Sequence, residues 1–318
     1  REARIVMYDV DLASAVPMET APFILLGENS TWLMRSRSDA NVLLTRMGNG
    51  IEMRSGSRCD LKGVDIIDNL DGVFRVGSES NVNNIAITLE DANIIGNEGM
   101  RGSLFTITNA NLVQINVNNG TFTQNTAREG GFLYAKKSAF FSFDVQDNSA
   151  SEDGGGVLSL FDMEDSLKIL FQNTRMEKNI AKKNGGAINV YNSSSCDLQI
   201  QNVTTTGNEA LSGGALHMAN IRDVVFEIES VESSQDIATR SGSFLSANSC
   251  RFRNFTLSQS RFNAQGGGKS FVYIQDATGN KLDLHDIKFE GGKNVEDSLL
   301  CFDGIDSLKL SQISFAQH

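Results

Sequence analysis

Paired carboxylates are the first residues of this sequence that could carry out a reaction. Hydrolysis of a glycosidic bond needs two of them, an acid and a base or nucleophile, about 5–9.5 Å apart. The nearest clusters are Asp9 with Asp11 and Glu152 with Asp153. A calcium site would need further acidic side chains at matching positions, and neither cluster has them. We interpret both clusters as solvated acids on a turn or strand face, and we predict no catalytic residue, no metal ion and no cofactor.

Histidine and cysteine side chains add little chemistry. The three histidines are His217, His285 and His318. His217 follows the apolar pair Ala215-Leu216, so we expect it to point outward from a strand, and the sequence identifies no partner for acid–base catalysis. The four cysteines are Cys59, Cys196, Cys250 and Cys301.

Cys196 and Cys250 fall at similar places two repeats apart. Stacked repeats would separate their Cα atoms by nearly 10 Å, beyond the limit of about 7 Å for a disulfide. We therefore predict four free, mainly buried thiols and no disulfide. Free thiols favour a reducing compartment over an oxidising one.

Five asparagines satisfy the N-x-[ST] pattern for N-glycosylation: Asn29, Asn119, Asn192, Asn202 and Asn254. A chain rich in Asn, Ser and Thr contains about this many by chance, so the pattern alone does not indicate an extracellular protein. Asn192 opens the stretch Asn192-Ser193-Ser194-Ser195, where we expect the most accessible of the five.

Composition excludes several classes of protein. The 318 residues are 40% hydrophobic and 21% charged, which is too apolar for a disordered chain. The net charge of −11 argues against nucleic-acid binding through phosphate neutralisation. No apolar run approaches the roughly 18–20 residues of a membrane-spanning helix. We expect a folded chain with no nucleic-acid partner and no membrane span.

A short pattern recurs about every 28 residues and indicates a repeat architecture. Each copy has a corner glycine, namely Gly102, Gly131, Gly156, Gly186, Gly214 and Gly242. An amide or, once, a carboxylate precedes each corner, at Asn97, Asn125, Asn148, Asn179, Asn208 and Asp236. Glycine allows a positive φ or a close backbone approach, and stacked asparagines are expected to form a structural ladder. Asp236 stands apart, since a carboxylate within an amide ladder must be paired or exposed.

Alternating apolar pairs precede the corners and predict β-strands with one buried face. They are Ile115/Val117, Phe143/Val145, Ile169/Phe171, Leu198/Ile200, Phe226/Ile228, Phe255/Leu257, Leu282/Leu284 and Leu308/Leu310. A third apolar position follows, at Phe122, Met176, Val203, Val231, Phe262, Phe289 and Phe315. One repeat cannot bury its apolar side alone, whereas stacked repeats can. We predict an all-β fold, a parallel β-helix (β-solenoid) of about 11 coils at about 4.8 Å per coil.

Domain organisation follows from the regularity of the repeat. We expect a single domain over 1–318, with irregular coils in 1–95 and regular coils in 96–318, because no linker or shift in composition separates them. The last repeat stops before its next corner, which predicts a segment of a longer protein. Its open ends should contact further coils or neighbouring subunits end to end.

The pattern FxxN followed by GGA[ILV] resembles the repeat of chlamydial polymorphic outer-membrane proteins, and similar repeats occur in large surface proteins of ciliates and other protists. The copies that carry it span residues 97–245. They are Phe122-Thr123-Gln124-Asn125 with Gly130-Gly131-Phe132-Leu133, Met176-Glu177-Lys178-Asn179 with Gly185-Gly186-Ala187-Ile188, and Gly207-Asn208 with Gly213-Gly214-Ala215-Leu216. Met176 departs from the pattern by replacing the Phe, and Asp236 by replacing the Asn.

This resemblance implies a right-handed β-helix displayed outside the cell or on its surface, and it transfers no catalytic residue. The function we expect is a non-catalytic structural or adhesive module of a surface or fibre-forming protein, with glycans or surface proteins as partners. The alternative is a polysaccharide-processing enzyme, lyase or hydrolase, with its site on one strand face. Its mark would be three or more charged side chains at equivalent positions of adjacent coils. Scaffolding of an assembly through flat lateral faces is a third reading that stays open.

Overall fold

The computed structural model shows a chain built of β-strands, with no helix among the residues that it describes. The described residues are 4–8, 12–13, 24–36, 41–47, 50–70, 72–77, 82–129, 131–136, 139–146, 149–151, 156–163, 166–264, 268–279, 282–291 and 295–316. Within these ranges, no helix is long and apolar enough to cross a membrane.

The described strands form two long sheets and two short ones. The large sheet contains 18 strands: β1 (Arg4–Tyr8), β2 (Leu12–Ala13), β4 (Thr31–Arg35), β5 (Val42–Thr45), β7 (Arg58–Ile67), β9 (Val82–Ile95), β12 (Ala110–Asn118), β13 (Thr121–Thr123), β16 (Ala139–Gln146), β17 (Ser149–Ser151), β19 (Ser166–Gln172), β20 (Arg175–Glu177), β22 (Ser195–Thr206), β25 (Val224–Ser234), β28 (Arg251–Ala264), β30 (Thr278–Gly279), β31 (Leu282–Gly291) and β33 (Leu308–Ala316). The narrow sheet contains 11: β3 (Ile24–Leu26), β6 (Ile51–Met53), β8 (Phe74–Val76), β11 (Phe105–Thr108), β15 (Leu133–Lys136), β18 (Leu158–Phe161), β21 (Ile188–Ser193), β24 (Leu216–Ile221), β27 (Leu245–Asn248), β29 (Gly268–Gln275) and β32 (Val295–Phe302). The two short sheets pair β10 (Glu98–Arg101) with β14 (Thr126–Glu129), and β23 (Glu209–Ser212) with β26 (Ile237–Ser241).

Neighbouring strands in each sheet are parallel and belong to successive repeats of the sequence. Ile169 lies beside Leu198, and Leu198 lies beside Phe226. The three residues are fully buried, so they form one column inside the molecule. The predicted all-β parallel β-solenoid is therefore confirmed.

The interior is a continuous apolar tube whose like residues stack from coil to coil. The rings of Phe226 and Phe255 lie 4.9 Å apart and nearly parallel. Phe289 stacks on Phe262 at 5.5 Å and on Phe315 at 5.4 Å. Stacked rings fill the interior because equivalent side chains of successive coils have the same direction and spacing.

Left-handed residues mark a corner beyond each long run of alternating residues. One column of them continues over six coils, at Asn173, Asn202, Ser230, Gln259, Asp286 and Gln312, each with φ near +50°. Asparagine and aspartate tolerate this conformation better than other non-glycine residues. The chain turns here without a glycine or proline, so the sequence pattern does not reveal the corner.

This corner shifts the register of the third apolar position. Val203 lies beside Val231, as expected, but Met176 lies beside Thr205 and Phe262 lies beside Ser233. The prediction that Val203 and Val231 belong to the column of Met176 and Phe262 is wrong. Two inward positions follow the left-handed residue in each of these coils. The valines occupy the first position, whereas Met176 and Phe262 occupy the second, where the coils of the valines have hydroxyl residues.

Candidate functional site

Buried asparagines form a hydrogen-bonded ladder along one corner of the solenoid. Asn69 Nδ2 donates to Asn97 Oδ1 at 2.8 Å, and Asn97 Nδ2 donates to Asn125 Oδ1 at 2.9 Å. Farther along the chain, Asn179 Nδ2 donates to Asn208 Oδ1 at 2.8 Å. Asn148, predicted between these two stretches, lies outside the residues whose side chains are described. The sequence pattern does not identify Asn69, because this residue lies in the irregular coils of residues 1–95.

Each rung also satisfies backbone groups of the neighbouring coils, as Asn208 illustrates. Its Oδ1 accepts the backbone N–H of Asn179 at 3.1 Å as well as that residue's side-chain amide. Its Nδ2 donates to the Met176 carbonyl at 3.0 Å and to Asp236 Oδ1 at 2.8 Å. The Asn208 amide thus has no hydrogen-bonding capacity left for a ligand.

Asp236 ends this stretch of the ladder with a fully buried carboxylate. Oδ1 accepts the backbone and side-chain N–H groups of Asn208 at 2.9 and 2.8 Å. Oδ2 accepts the hydroxyl protons of Thr205 and Ser233, each at 2.6 Å. Burial raises the pKa of Asp236 to about 6, although these four donors act in the opposite direction.

Thr205 and Ser233 occupy the column that holds Met176 on one side and Phe262 on the other. Both hydroxyl residues are 2% exposed, so the interior becomes polar at this level. Three residues therefore depart from the repeat pattern together at this level: Thr205, Ser233 and Asp236. Each of the two hydroxyl groups donates its proton to the Asp236 carboxylate. A single Asn-to-Asp replacement in an otherwise apolar layer would lack these donors.

The corner glycines divide into two columns. Gly185, Gly213 and Gly242 share one column and have positive φ near +65°. Gly186 and Gly214, the predicted corner residues, form the next column and do not have a positive φ.

Backbone proximity explains the second glycine column. A Cβ at Gly186 would collide with the Gly214 carbonyl, and one at Gly214 with the Ser243 carbonyl. Gly242 lies in the first column, with Gly185 and Gly213. The predicted corners Gly186 and Gly214 lie one residue later, in the second column. Of the other predicted corners, Gly102 and Gly156 have positive φ, and Gly131 accepts the Ser103 backbone N–H through its carbonyl.

The sequon asparagines lie on the outside of the solenoid. Asn29, Asn119, Asn192 and Asn202 are exposed and left-handed, with φ between 50° and 57°. Three of them already donate an Nδ2–H to a neighbouring coil: Asn119 to Asp91, Asn192 to Asp162, and Asn202 to Asn173. The half-buried Asn254 donates to Glu227 at 3.2 Å. These amides therefore link neighbouring coils at the surface.

The thiols and imidazoles do not form a reactive cluster among the described residues. Cys59, Cys196 and Cys250 are buried free thiols, and Cys301 is half-buried. Burial raises the pKa of Cys250 to about 11 and that of the other two buried thiols as well, so all three stay protonated at neutral pH.

His217 does not point into solvent, contrary to expectation. It is 7% exposed, and burial lowers its pKa to about 4, so the imidazole is neutral. Its Nδ1 and the Oδ1 of Asn189, on the adjacent strand, are buried without a hydrogen-bond partner among the described atoms.

A cleft on the outer face of the large sheet, which we call the outer groove, has a volume of about 240 Å³. Its floor is the backbone at Ile200 and Ile228, whose side chains point into the core. Its walls are two rows that run from coil to coil: a first row of Leu170, Gln199, Glu227 and Thr256, and a second row of Gln201, Glu229 and Ser258. Glu227 and Glu229 point the same way because they are two residues apart on β25.

Comparisons with known proteins gave no match: no protein-family model, no curated protein and no solved structure is similar to this chain. The described residues contain no group of three or more His, Cys, Asp or Glu side chains that could hold a metal ion. The predicted acidic clusters Asp9/Asp11 and Glu152/Asp153, and also His318, lie outside the described residues.

Proposed function

We propose that this chain is a non-catalytic structural or adhesive module of a cell-surface or fibre-forming protein. The observation that carries the proposal is the use of its buried polar groups. The amide ladder uses buried polar side chains at equivalent positions, and among the described residues its hydrogen bonds join one coil to the next. Such bonds hold successive coils in one continuous stack, which a structural or adhesive module requires.

End-on stacking, which belongs to the proposed assembly role, can be tested on the last described strand. The terminal face of the large sheet, formed by β33, exposes the apolar side chains Leu308, Leu310 and Phe315 at 41%, 50% and 61%. β33 pairs with β31 along one edge, and parallel strands are ordinarily covered by apolar neighbours. Another coil or a neighbouring subunit stacked on this face would bury these side chains. The proposed extracellular location rests on the resemblance of the FxxN and GGA[ILV] repeat to that of chlamydial polymorphic outer-membrane proteins.

Sedimentation analysis tests the assembly role. Association of the chain should weaken on replacing Phe315→Asp, since the change places a charge on the terminal face. Met100→Asp is the matched control, because Met100 is an exposed apolar residue away from that face. Association that is equally sensitive to both changes, or a strictly monomeric chain, would refute end-on stacking.

A polysaccharide-processing enzyme is the second candidate, and the outer groove is the observation that favours it. Glu227 and Glu229 lie on one strand face, where two carboxylates could act as acid and base. Release of new reducing ends from a polysaccharide, lost on replacing Glu229→Gln, would establish this activity and refute the non-catalytic role.

A further inference from the structure

The outer groove contains hydrogen-bonding groups that the fold itself does not use. In the second row, Gln172 Nε2 donates to Gln201 Oε1, and Gln201 Nε2 donates to Glu229 Oε2, both at 3.0 Å. These amides orient the Glu229 carboxylate while leaving its Oε1 without a protein partner among the described residues.

The first row has the same arrangement. Glu227 Oε1 accepts the Asn254 amide at 3.2 Å, and its Oε2 has no partner in the described part of the chain. The Thr256 hydroxyl in the next coil is likewise unpartnered there and lines the same cleft. The groove therefore contains two carboxylates, Glu227 and Glu229, that are oriented by neighbouring amides, and the hydroxyl of Thr256. All three groups can accept hydrogen bonds from a ligand.

Charge and spacing limit what could lie in the groove. Its described lining contains two carboxylates and no Lys, Arg or His, so an acidic polymer would be repelled. Polar side chains recur at about 4.8 Å along the axis from Gln199 through Glu227 to Thr256, because each of these coils adds one to the first row. An extended chain with hydroxyl groups on every unit can donate to such rows over several coils. A compact ligand reaches fewer coils.

We propose that the outer groove binds an extended, non-acidic polysaccharide laid along the solenoid axis. Sugar hydroxyl or ammonium groups donate to Glu227 and Glu229, and Thr256 and Gln199 complete the contact. This inference names the partner for the adhesive role and rests on that part of the proposed function.

Isothermal titration calorimetry with three hexasaccharides tests the proposal: cellohexaose, the hexamer of glucosamine, and hexagalacturonate. We expect binding of at least one of the first two and none of the third. The double variant Glu227→Gln/Glu229→Gln should bind about tenfold more weakly, because hydrogen bonds to a charged acceptor are the stronger ones. Glu232→Gln is the control, since Glu232 is exposed on β25 but lies outside the groove.

The possible outcomes distinguish failure of the groove assignment from failure of the proposed structural role. Absence of binding by both non-acidic probes, equal binding by the double variant, or binding of hexagalacturonate would overturn the groove assignment and leave the structural role intact. Cleavage of a bound probe would support the groove and refute the non-catalytic role. Unchanged circular dichroism of the double variant would exclude unfolding as the cause of weaker binding.

Discussion

Asn208 shows how one side chain holds three coils together. Its amide contacts Asn179 and Met176 in the preceding coil and Asp236 in the following one, with all four hydrogen bonds buried. A buried polar group left without its partner costs about 1–3 kcal/mol, so a rung of the ladder has more influence on stability than a surface amide.

Asn208→Ala should destabilise the protein by about 4 kcal/mol, because it removes four buried hydrogen bonds, to Asn179, Met176 and Asp236. Chemical denaturation followed by circular dichroism measures the loss. Asn202→Gly is the control, since Asn202 is exposed and left-handed, and glycine accepts that conformation. We expect the control to lose no more than about 1 kcal/mol, and equal losses would contradict a structural ladder.

Asp236 should make the stability of the protein depend on pH. Its pKa is about 6 in the folded protein and about 3.9 in an unfolded chain. The folded state therefore binds more protons between these values, so the contribution of Asp236 is fully present below pH 4 and lost as the pH rises through 6. Asp236→Asn removes this titration and continues the ladder with an amide that can donate to Thr205 and Ser233.

The free energy of unfolding of wild type and Asp236→Asn, measured from pH 4 to pH 7, tests this effect. We expect the difference to shift in favour of the variant by about 2 kcal/mol over that range, since one pKa unit corresponds to about 1.4 kcal/mol and the unfolded carboxyl is already half ionised near pH 4. Other carboxylates titrate in both proteins and cancel in the difference. A difference independent of pH, or one that shifts toward the wild type, would contradict a raised pKa.

At the scale of elements, the corners determine how closely the coils approach. Gly214 lies where the backbone of one coil meets that of the next, so an added methyl group has no space. Gly27 also lies in a turn, but nothing surrounds the position of its Cβ within 4 Å. Neither glycine has a positive φ. Gly214 is therefore needed because a side chain would not fit, whereas Gly27 is not needed for that reason.

Gly214→Ala should disrupt folding or cost more than about 3 kcal/mol, because the Ser243 carbonyl must move and with it the stacked coil. Gly27→Ala should change stability by no more than about 0.5 kcal/mol. Thermal denaturation of both variants is the measurement. A harmless Gly214→Ala would show that the coils are farther apart at this corner than the structure has them.

The repeat pattern predicts the strands and the ladder because both recur with the same residue types. Ile169, Leu198 and Phe226 could be aligned from spacing alone, and they lie side by side. The corner at Ser230 and Gln259 could not be predicted, since neither residue type is typical of a left-handed turn. Missing that corner displaced the third apolar position by two residues.

The sequence predicts only part of the polar layer around Asp236. A lone carboxylate in an amide ladder indicates that donors must be nearby, and the prediction of pairing or exposure follows from that. The pattern does not reveal the donors Thr205 and Ser233, because it places Val203 and Val231 in their column. The outer groove was not predicted either, since Glu227 and Glu229 are on one strand rather than aligned across three coils.

For the whole molecule, stacking makes distance along the axis proportional to separation in sequence. One column of paired residues leads from Asn116 to Glu227 in four coil steps and to Lys309 in seven. A solenoid with these steps predicts about 19 Å between the first pair and about 34 Å between the second. Residues so far apart in sequence would have no such relation in an ordinary globular fold.

Distances between spin labels on this column, measured by double electron–electron resonance, test the stacking of the coils most directly. The labels go on Asn116→Cys with Glu227→Cys, and on Asn116→Cys with Lys309→Cys, in a Cys301→Ser background whose other three thiols are buried. We expect distances that increase by about 4.8 Å for each coil, near 19 Å and 34 Å apart from label length. Two similar distances, or a second one shorter than the first, would contradict a single stack of coils.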